Sequence, residues 1–353
     1  MTTLAEVAEA ARVSTATASL VLSGKSDGRV SAPTAARVRE SASRLGYVRD
    51  ALAGGLRNRK TRTIGVLAER VLSTPYAVDM IDAILTASHE LGWSVLLTDS
   101  GGDSEQTQAA VRELQSRRVD VIVYAAMYHQ QVHVAPELAS VAVLNGFADR
   151  DDVVGAVPDE VTAAREAVTH LLSLGHRRIG HITHSDESTV AVGLRIRGYR
   201  DALAAAGVTH DEALLIRGGN DPRGADESAR RMLDREDPPT AVFCYNDGMA
   251  AGVYRQAAAL GLSIPEDLSV IGFDDLKLIS TNLAPQLTTM RLPHYDMADW
   301  LTRALIEDKL PAPPRTVSFR CDLIERASTA PPRHAPTTRS AHPHTSGPSG
   351  PEQ

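Results

Sequence analysis

Cysteine is nearly absent from this 353-residue chain, with Cys244 and Cys321 the only two. Two thiols so far apart build no disulfide framework, and their spacing matches no zinc motif. Cys244 sits in the apolar run Ala241–Tyr245, where a small buried thiol is the expectation. No stretch approaches 18 uninterrupted apolar residues, which excludes a membrane-spanning helix. The first residues, Met-Thr-Thr-Leu-Ala-Glu, lack a basic region and an apolar core, so no signal peptide is expected and the expected location is cytoplasmic. Catalytic signatures are missing too. No Gly-x-Gly-x-x-Gly follows the first strand-like run, and Gly24-Lys25-Ser26 resembles the end of a phosphate loop whose first glycine is replaced by Ser19. The chain is expected to be neither an enzyme nor the holder of a cofactor or metal.

What is present is unevenly spread. The formal net charge is −7, yet residues 1–62 hold eleven basic and five acidic side chains, +6 against −13 for the remainder. A small basic head on an acidic body is the asymmetry expected where one end meets phosphates; on charge alone, a solvated basic face is the alternative. With 353 residues and 43% hydrophobic side chains, the chain exceeds one core and can fill a large one.

Residues 4–46 carry three short helical patterns. Leu4, Val7, Ala8 and Ala11 fall at helical spacing, and Ser14 is placed to cap a second helix running to about Leu22. Ser31 can cap a third, with Pro33 in its first turn and Gly46 at its end. Two short helices joined by a tight turn, with a third across them, form a helix-turn-helix layout. From Ile64 onward, apolar β-type runs alternate with helical stretches: Ile64–Ala68, Ser94–Thr98, Val119–Ala126, Val141–Phe147, Arg178–Thr183, Ala213–Arg217, Ala241–Tyr245 and Leu268–Phe273. That rhythm predicts an α/β body of parallel sheets in two lobes, with ligands at the carboxyl ends of the strands. Residues 331–353 are Pro-, Ser-, Gly- and His-rich and are expected to be disordered, with no leucine heptad.

The segment Leu4-Ala-Glu-Val-Ala-Glu-Ala-Ala-Arg-Val-Ser-Thr-Ala-Thr-Ala-Ser-Leu-Val-Leu-Ser-Gly24 resembles the headpiece of the lactose/galactose-repressor family. The likeness continues through Arg29-Val-Ser31, Arg44-Leu-Gly-Tyr47, Ala51-Leu-Ala-Gly-Gly-Leu56, Thr63-Ile-Gly-Val66, Gly175-His-Arg-Arg-Ile-Gly180 and Arg195-Ile-Arg-Gly-Tyr199. It ends with Phe243-Cys-Tyr-Asn-Asp247, Val270-Ile-Gly-Phe-Asp-Asp275, Leu287-Thr-Thr289 and Leu323-Ile-Glu-Arg-Ala-Ser-Thr329, covering roughly residues 3–330 in order. The resemblance implies a small all-α helix-turn-helix headpiece (1–48), a hinge helix and linker (49–62) and a two-lobed α/β, periplasmic-binding-protein-like body (63–330). Its first lobe would span about 63–157 and 290–320, its second about 158–289 and 321–330. The implied function is sequence-specific transcription regulation, expected to be repression, by a homodimer on a pseudo-palindromic DNA operator. A small effector, expected to be a sugar or related polyol, would bind between the lobes.

The resemblance places the helix Ser14–Leu22 in the major groove, with base-reading positions at Thr15, Ala16 and Leu20. Ala16 and Leu20 offer only apolar contact, for instance to a thymine methyl; Leu20 could instead belong to the core. Ser14, Thr17, Ser19, Arg29, Ser31 and Thr34 are candidate phosphate contacts, and Ser14 and Ser31 can also be plain caps. The implied minor-groove element comprises Ala53, Leu56 and Arg57, with Leu56 as the wedge. Gly54-Gly55 weakens this short helix, which is therefore expected to form only when two hinges pair on DNA.

In the body the resemblance implies effector contacts at Tyr76, Asp159, Arg195, Asn246, Asp247 and Asp274: a planar donor fork and carboxylate acceptors suit a polyhydroxylated ligand. Asp247 is equally open to a capping role. Tyr124, Met127, Phe147 and Tyr245 either line the pocket or fill core. His129 and His133 are read as surface loop. Two departures limit the ligand assignment: Gly218-Gly-Asn-Asp-Pro-Arg-Gly224 has no stacking tryptophan, and Leu292-Pro293 replaces the usual Gln-Pro.

Overall fold

The structure, a computed structural model, describes residues 2–24, 26–47, 61–69, 71 and 78–333. It separates into two compact units, Met1–Arg62 and Thr63–Gln353.

In the first unit, local hydrogen bonds start the helices and alanines let them pack closely. Thr3 opens the helix Leu4–Ala10 with a reciprocal box: its hydroxyl accepts from the Glu6 amide at 3.3 Å, and its own amide donates to Glu6 Oε2 at 2.7 Å. Arg12, at φ 53°, turns the chain. Ser14 Oγ then accepts from the Thr17 amide at 3.1 Å and starts the helix Thr15–Leu22. Ser31 stands at the N-cap of the helix Ala32–Arg44, but its hydroxyl donates to Thr34 Oγ1 at 2.9 Å and caps no backbone amide, contrary to expectation. Val7, Ala8, Ala11, Ala18, Val21, Ala35, Val38 and Ala42 form the core. Leu20 lies outside that cluster and is half-buried, which removes the core reading for it.

The second unit rests on two six-stranded sheets. The first contains β1 Thr63–Ala68, β2 Ser94–Asp99, β3 Val121–Val132, β4 Val141–Ala148, β5 Val154–Pro158 and β11 Thr316–Phe319, ordered β11-β5-β4-β3-β1-β2 with parallel pairing throughout. The second contains β6 Ile179–His184, β7 Leu215–Gly218, β8 Ala241–Cys244, β9 Ser269–Asp274, β10 Thr288–Arg291 and β12 Asp322–Ile324, ordered β12-β10-β9-β8-β6-β7. Its pairings are parallel except β10 with β12. Strands such as β1 and β8 are apolar without alternation because helices cover both faces.

The chain crosses between lobes after β5, after β10 and between β11 and β12. The middle crossing follows Arg291, slightly later than expected, because β10 pairs with β9 in the second lobe. The helix His294–Ile306 then returns to the first sheet and buries Met297, Ala298, Leu301 and Leu305 there. On the second sheet, the helices Glu160–Ser173 and Val190–Ala205 approach closely at Gly198. A Cβ added to Gly198 would stand 2.4 Å from the Val161 carbonyl oxygen and 2.7 Å from Ala164 Cβ. This contact sets Arg195, three residues earlier on its helix, against Glu160.

Candidate functional site

The cleft begins as an irregularity in the first sheet. β3 and β4 pair from Ile122↔Val141 to Ala125↔Leu144 and resume at Gln130↔Gly146, so Ala126 through His129 face the single residue Asn145. Such a bulge breaks the ladder and re-aims side chains. Asn145, at φ 59°, secures it by donating from Nδ2 to the carbonyls of Ala126 at 3.3 Å and Met127 at 3.2 Å. Met127, Tyr128, His129 and Asn145 form the cleft wall on this side. His129 is therefore not a surface-loop residue: the bulge turns its ring inward, 8% exposed and edge-on to Phe147. Its Nδ1 lies 3.9 Å from Glu160 Oε1, beyond hydrogen-bond range, and has no hydrogen-bond partner among the described residues. His133 is exposed beyond the end of β3, with Nδ1 2.5 Å from Asp149 Oδ2.

The opposite wall comes from strand ends and helix starts of the second sheet: Glu160, Ala191, Arg195, Asn220, Tyr245, Asn246 and Asp274, with Leu292 and His294 at the crossing. Arg195 is its hub. Nε donates to Glu160 Oε2 at 2.7 Å, Nη2 to Glu160 Oε1 at 3.3 Å, and Nη1 to the Tyr245 carbonyl. Asp274 Oδ1 stands 3.8 Å from Nη1. The guanidinium lies 3.7 Å from the Phe273 ring centroid and 4.3 Å from that of Tyr245. The planar fork, charge and stacking make this a position that lysine could not fill.

Burial shapes the charge states. It raises Glu160, but Arg195 and His129 outweigh it and hold that carboxyl below its ordinary range. Asp274 is pushed up to about 7 by burial and by Glu160, against the pull of Arg195. Asp247 is raised well above its ordinary value, first by burial and then by Asp274. Free volume in the cleft is about 50 Å³, against roughly 300–1,000 Å³ for ordinary ligand pockets.

Of the expected effector residues, Arg195, Asn246 and Asp274 meet in this cleft. Asp159 does not line it: it caps the helix Glu160–Ser173, accepting from the Thr162 amide at 3.1 Å. Asp247 is also turned away, since its carboxylate accepts from Thr289 Oγ1 and the Leu276 amide, both at 2.6 Å, while Asn246 caps the helix. Tyr76 lies outside the described residues, as do Ala53, Leu56 and Arg57. Met127 and Tyr245 line the cleft, whereas Tyr124 faces a separate concavity of about 490 Å³ beside the helix Ser104–Ser116. That concavity is larger, but its lining comes from the first lobe alone. Sequence reading missed Glu160, Asn145 and His294. Glu160 follows the carboxyl end of an apolar run, the signal that could have found it, whereas Asn145 lies inside β4.

The helical unit offers a second candidate surface. Ser14, Thr15, Ala16, Ser19, Arg29 and Ser31 are exposed, and Thr17, Leu20 and Thr34 are partly so. Arg12, Arg37, Arg39 and Arg44 are exposed too, and no carboxylate forms an ion pair with them among the described residues. Among those residues, no cluster suits a metal ion and no helix is long and apolar enough to cross a membrane.

Comparison with known proteins places both units. Residues 3–50 match the model for bacterial regulatory proteins of the lacI family, and residues 168–329 match a periplasmic binding protein-like domain. The HTH-type transcriptional regulator DegA of Bacillus subtilis strain 168 is 33% identical over 84% of this chain and 88% of its own. The HTH-type transcriptional repressor CytR of Escherichia coli K12 is 30% identical over 93% and 96%. Among solved structures, the transcriptional regulator CelR in complex with cellobiose is 26% identical, with TM-score 0.64 over 93% of this chain and all of that one.

Proposed function

This chain belongs to the lacI family of bacterial regulatory proteins and is a DNA-binding transcription regulator, and from that premise we propose that it is a cytoplasmic repressor controlled by a small polyhydroxylated effector held between its two lobes. The observation that carries this reading is the convergence of Arg195, Asp274, Asn246 and Asn145 on one cleft. A fork of donors and several acceptors on facing lobes is what a ring of hydroxyls needs. A relative solved with cellobiose supports a sugar as the ligand class. Lobe opening and closure around the three crossings then couples the cleft to the headpiece.

On DNA, the helix Thr15–Leu22 enters the major groove. Thr15, Ala16 and Leu20 face base edges, while Ser14, Thr17, Ser19, Arg29, Ser31 and Thr34 hold phosphates. Two copies read a pseudo-palindrome, and Leu56 of each wedges the central minor groove, flanked by Ala53 and Arg57. Leu56→Ala then loses specific operator binding and keeps most salt-sensitive non-specific binding, read by fluorescence anisotropy on operator and scrambled duplexes. Equal loss on both duplexes contradicts the wedge.

A further inference from the structure

We propose that the cleft selects neutral or positively charged, donor-bearing effectors and rejects anionic ones, with Glu160 as the residue that sets this selectivity. The inference rests on the effector reading above and narrows its ligand class to polyols and amino-substituted polyols, excluding phosphorylated or carboxylated sugars. Arg195 is the only Lys or Arg lining the cleft among the described residues, and three of its five N–H groups are already engaged. Nε and Nη2 are engaged by Glu160, and Nη1 donates to the Tyr245 carbonyl beside Asp274. Glu160 and Arg195 side chains are 2% and 4% exposed, so neither is screened by water.

Unused acceptors stand on both walls. Asp274 has Arg195 at 3.8 Å and receives no side-chain hydrogen bond among the described residues. Asn145 has committed its Nδ2 and keeps Oδ1. Acceptors arranged around a buried space call for hydroxyl or ammonium donors. Among the described residues, an anion entering here meets the Glu160 carboxylate and the acidic Asp274 beside one guanidinium. To reach Arg195 it must displace Glu160, leaving a buried carboxylate without its cation, which is strongly unfavourable. Glu160 thus occupies the anion subsite of its own protein.

The test uses full-length protein and its selected operator. Thermal shift and operator anisotropy are measured with matched sets of hexoses, pentoses and disaccharides, their amino-sugar forms, and their phosphate and uronate forms. At least one neutral or amino compound is expected to move both readouts and no phosphate or uronate to do so. In parallel, inorganic sulfate is titrated at constant ionic strength into wild type, Glu160→Gln and Glu160→Gln/Arg195→Ala. Removing the competing carboxylate is expected to tighten sulfate binding at least about tenfold, and the double variant is expected to lose the gain. An anionic compound or sulfate acting on the wild type through Arg195 overturns the selectivity and leaves the effector reading standing. No gain in a folded Glu160→Gln protein also overturns it; should that variant not fold, the matched compounds decide alone. If no compound of any charge moves operator binding, the effector reading itself fails and takes this inference with it.

Discussion

The arginines of the two units obey opposite rules. Arg12, Arg29, Arg37, Arg39 and Arg44 of the helical unit stand in solvent, while Arg195 of the body is 3% exposed, stacked between two rings and gripped by Glu160. Exposed guanidinium groups hold little folding energy and remain available to phosphates, where they release counterions and make binding steeply salt-dependent. A buried guanidinium is part of the fold. Its removal strands a carboxylate, and whatever it recognises must compete with the partner it already has. The headpiece is thus built for encounter and the cleft for discrimination.

The largest expected effect sharpens this contrast. Arg195→Ala destabilises the body by about 3–5 kcal/mol, because Glu160 is left buried and unpaired, whereas Arg37→Ala costs less than about 0.5 kcal/mol. Urea unfolding followed by circular dichroism measures both, and equal costs would break the comparison. A second effect concerns pH. Asp274 is raised to about 7, so its contribution to stability is complete below its unfolded value of 3.8 and is lost as pH climbs through 7. Glu160, held low, runs the other way and loses its contribution as the solution is acidified. Asp274→Asn is therefore expected to gain on the order of 1–4 kcal/mol relative to wild type between pH 4 and 7, read from urea midpoints across that range; a pH-independent difference refutes the assignment.

Smaller effects separate packing from capping. Gly198→Ala forces a methyl group against the Val161 carbonyl and is expected to cost about 1–3 kcal/mol, together with a shift in the effector response as Arg195 moves from Glu160. In the headpiece, Ser14→Ala removes one cap bond and is expected to cost about 1 kcal/mol. Arg29→Ala leaves folding untouched and is expected to reduce the salt slope of operator binding by about 1, measured by anisotropy between 50 and 200 mM salt.

The two units also differ in how readily their sequence reveals them. Helix spacing, the Ser14 cap and the small-residue core of the headpiece arise from contacts a few residues apart, and they stand in the structure much as the pattern suggests. Most strands of the body announce themselves as apolar runs, but the sequence reading misses β5, β10, β11 and β12; β10, β11 and β12 are three or four residues long and carry polar residues such as Thr288, Arg291, Ser318 and Asp322. The cleft is harder still. His129 reads as loop because no periodicity reveals a bulge that sets four residues against one. Asn145 hides inside its own strand. Asp159 and Glu160 are neighbours, yet the helix start turns one into a cap and the other toward Arg195. Asp247 finds Thr289 forty-two positions away, a partner fixed only by the pairing of β9 and β10.

The most direct test of the central claim, that ligand chemistry in the cleft governs a DNA-reading headpiece, is selection of bound sequences from a random duplex pool by full-length protein at near-physiological salt, with and without sugars and amino sugars. Enrichment of a pseudo-palindrome with a flexible pyrimidine–purine step at its centre is expected, with a change in that enrichment on adding ligand that disappears in Arg195→Ala. Absence of any enriched sequence under either condition, or a ligand response that survives in Arg195→Ala, contradicts it.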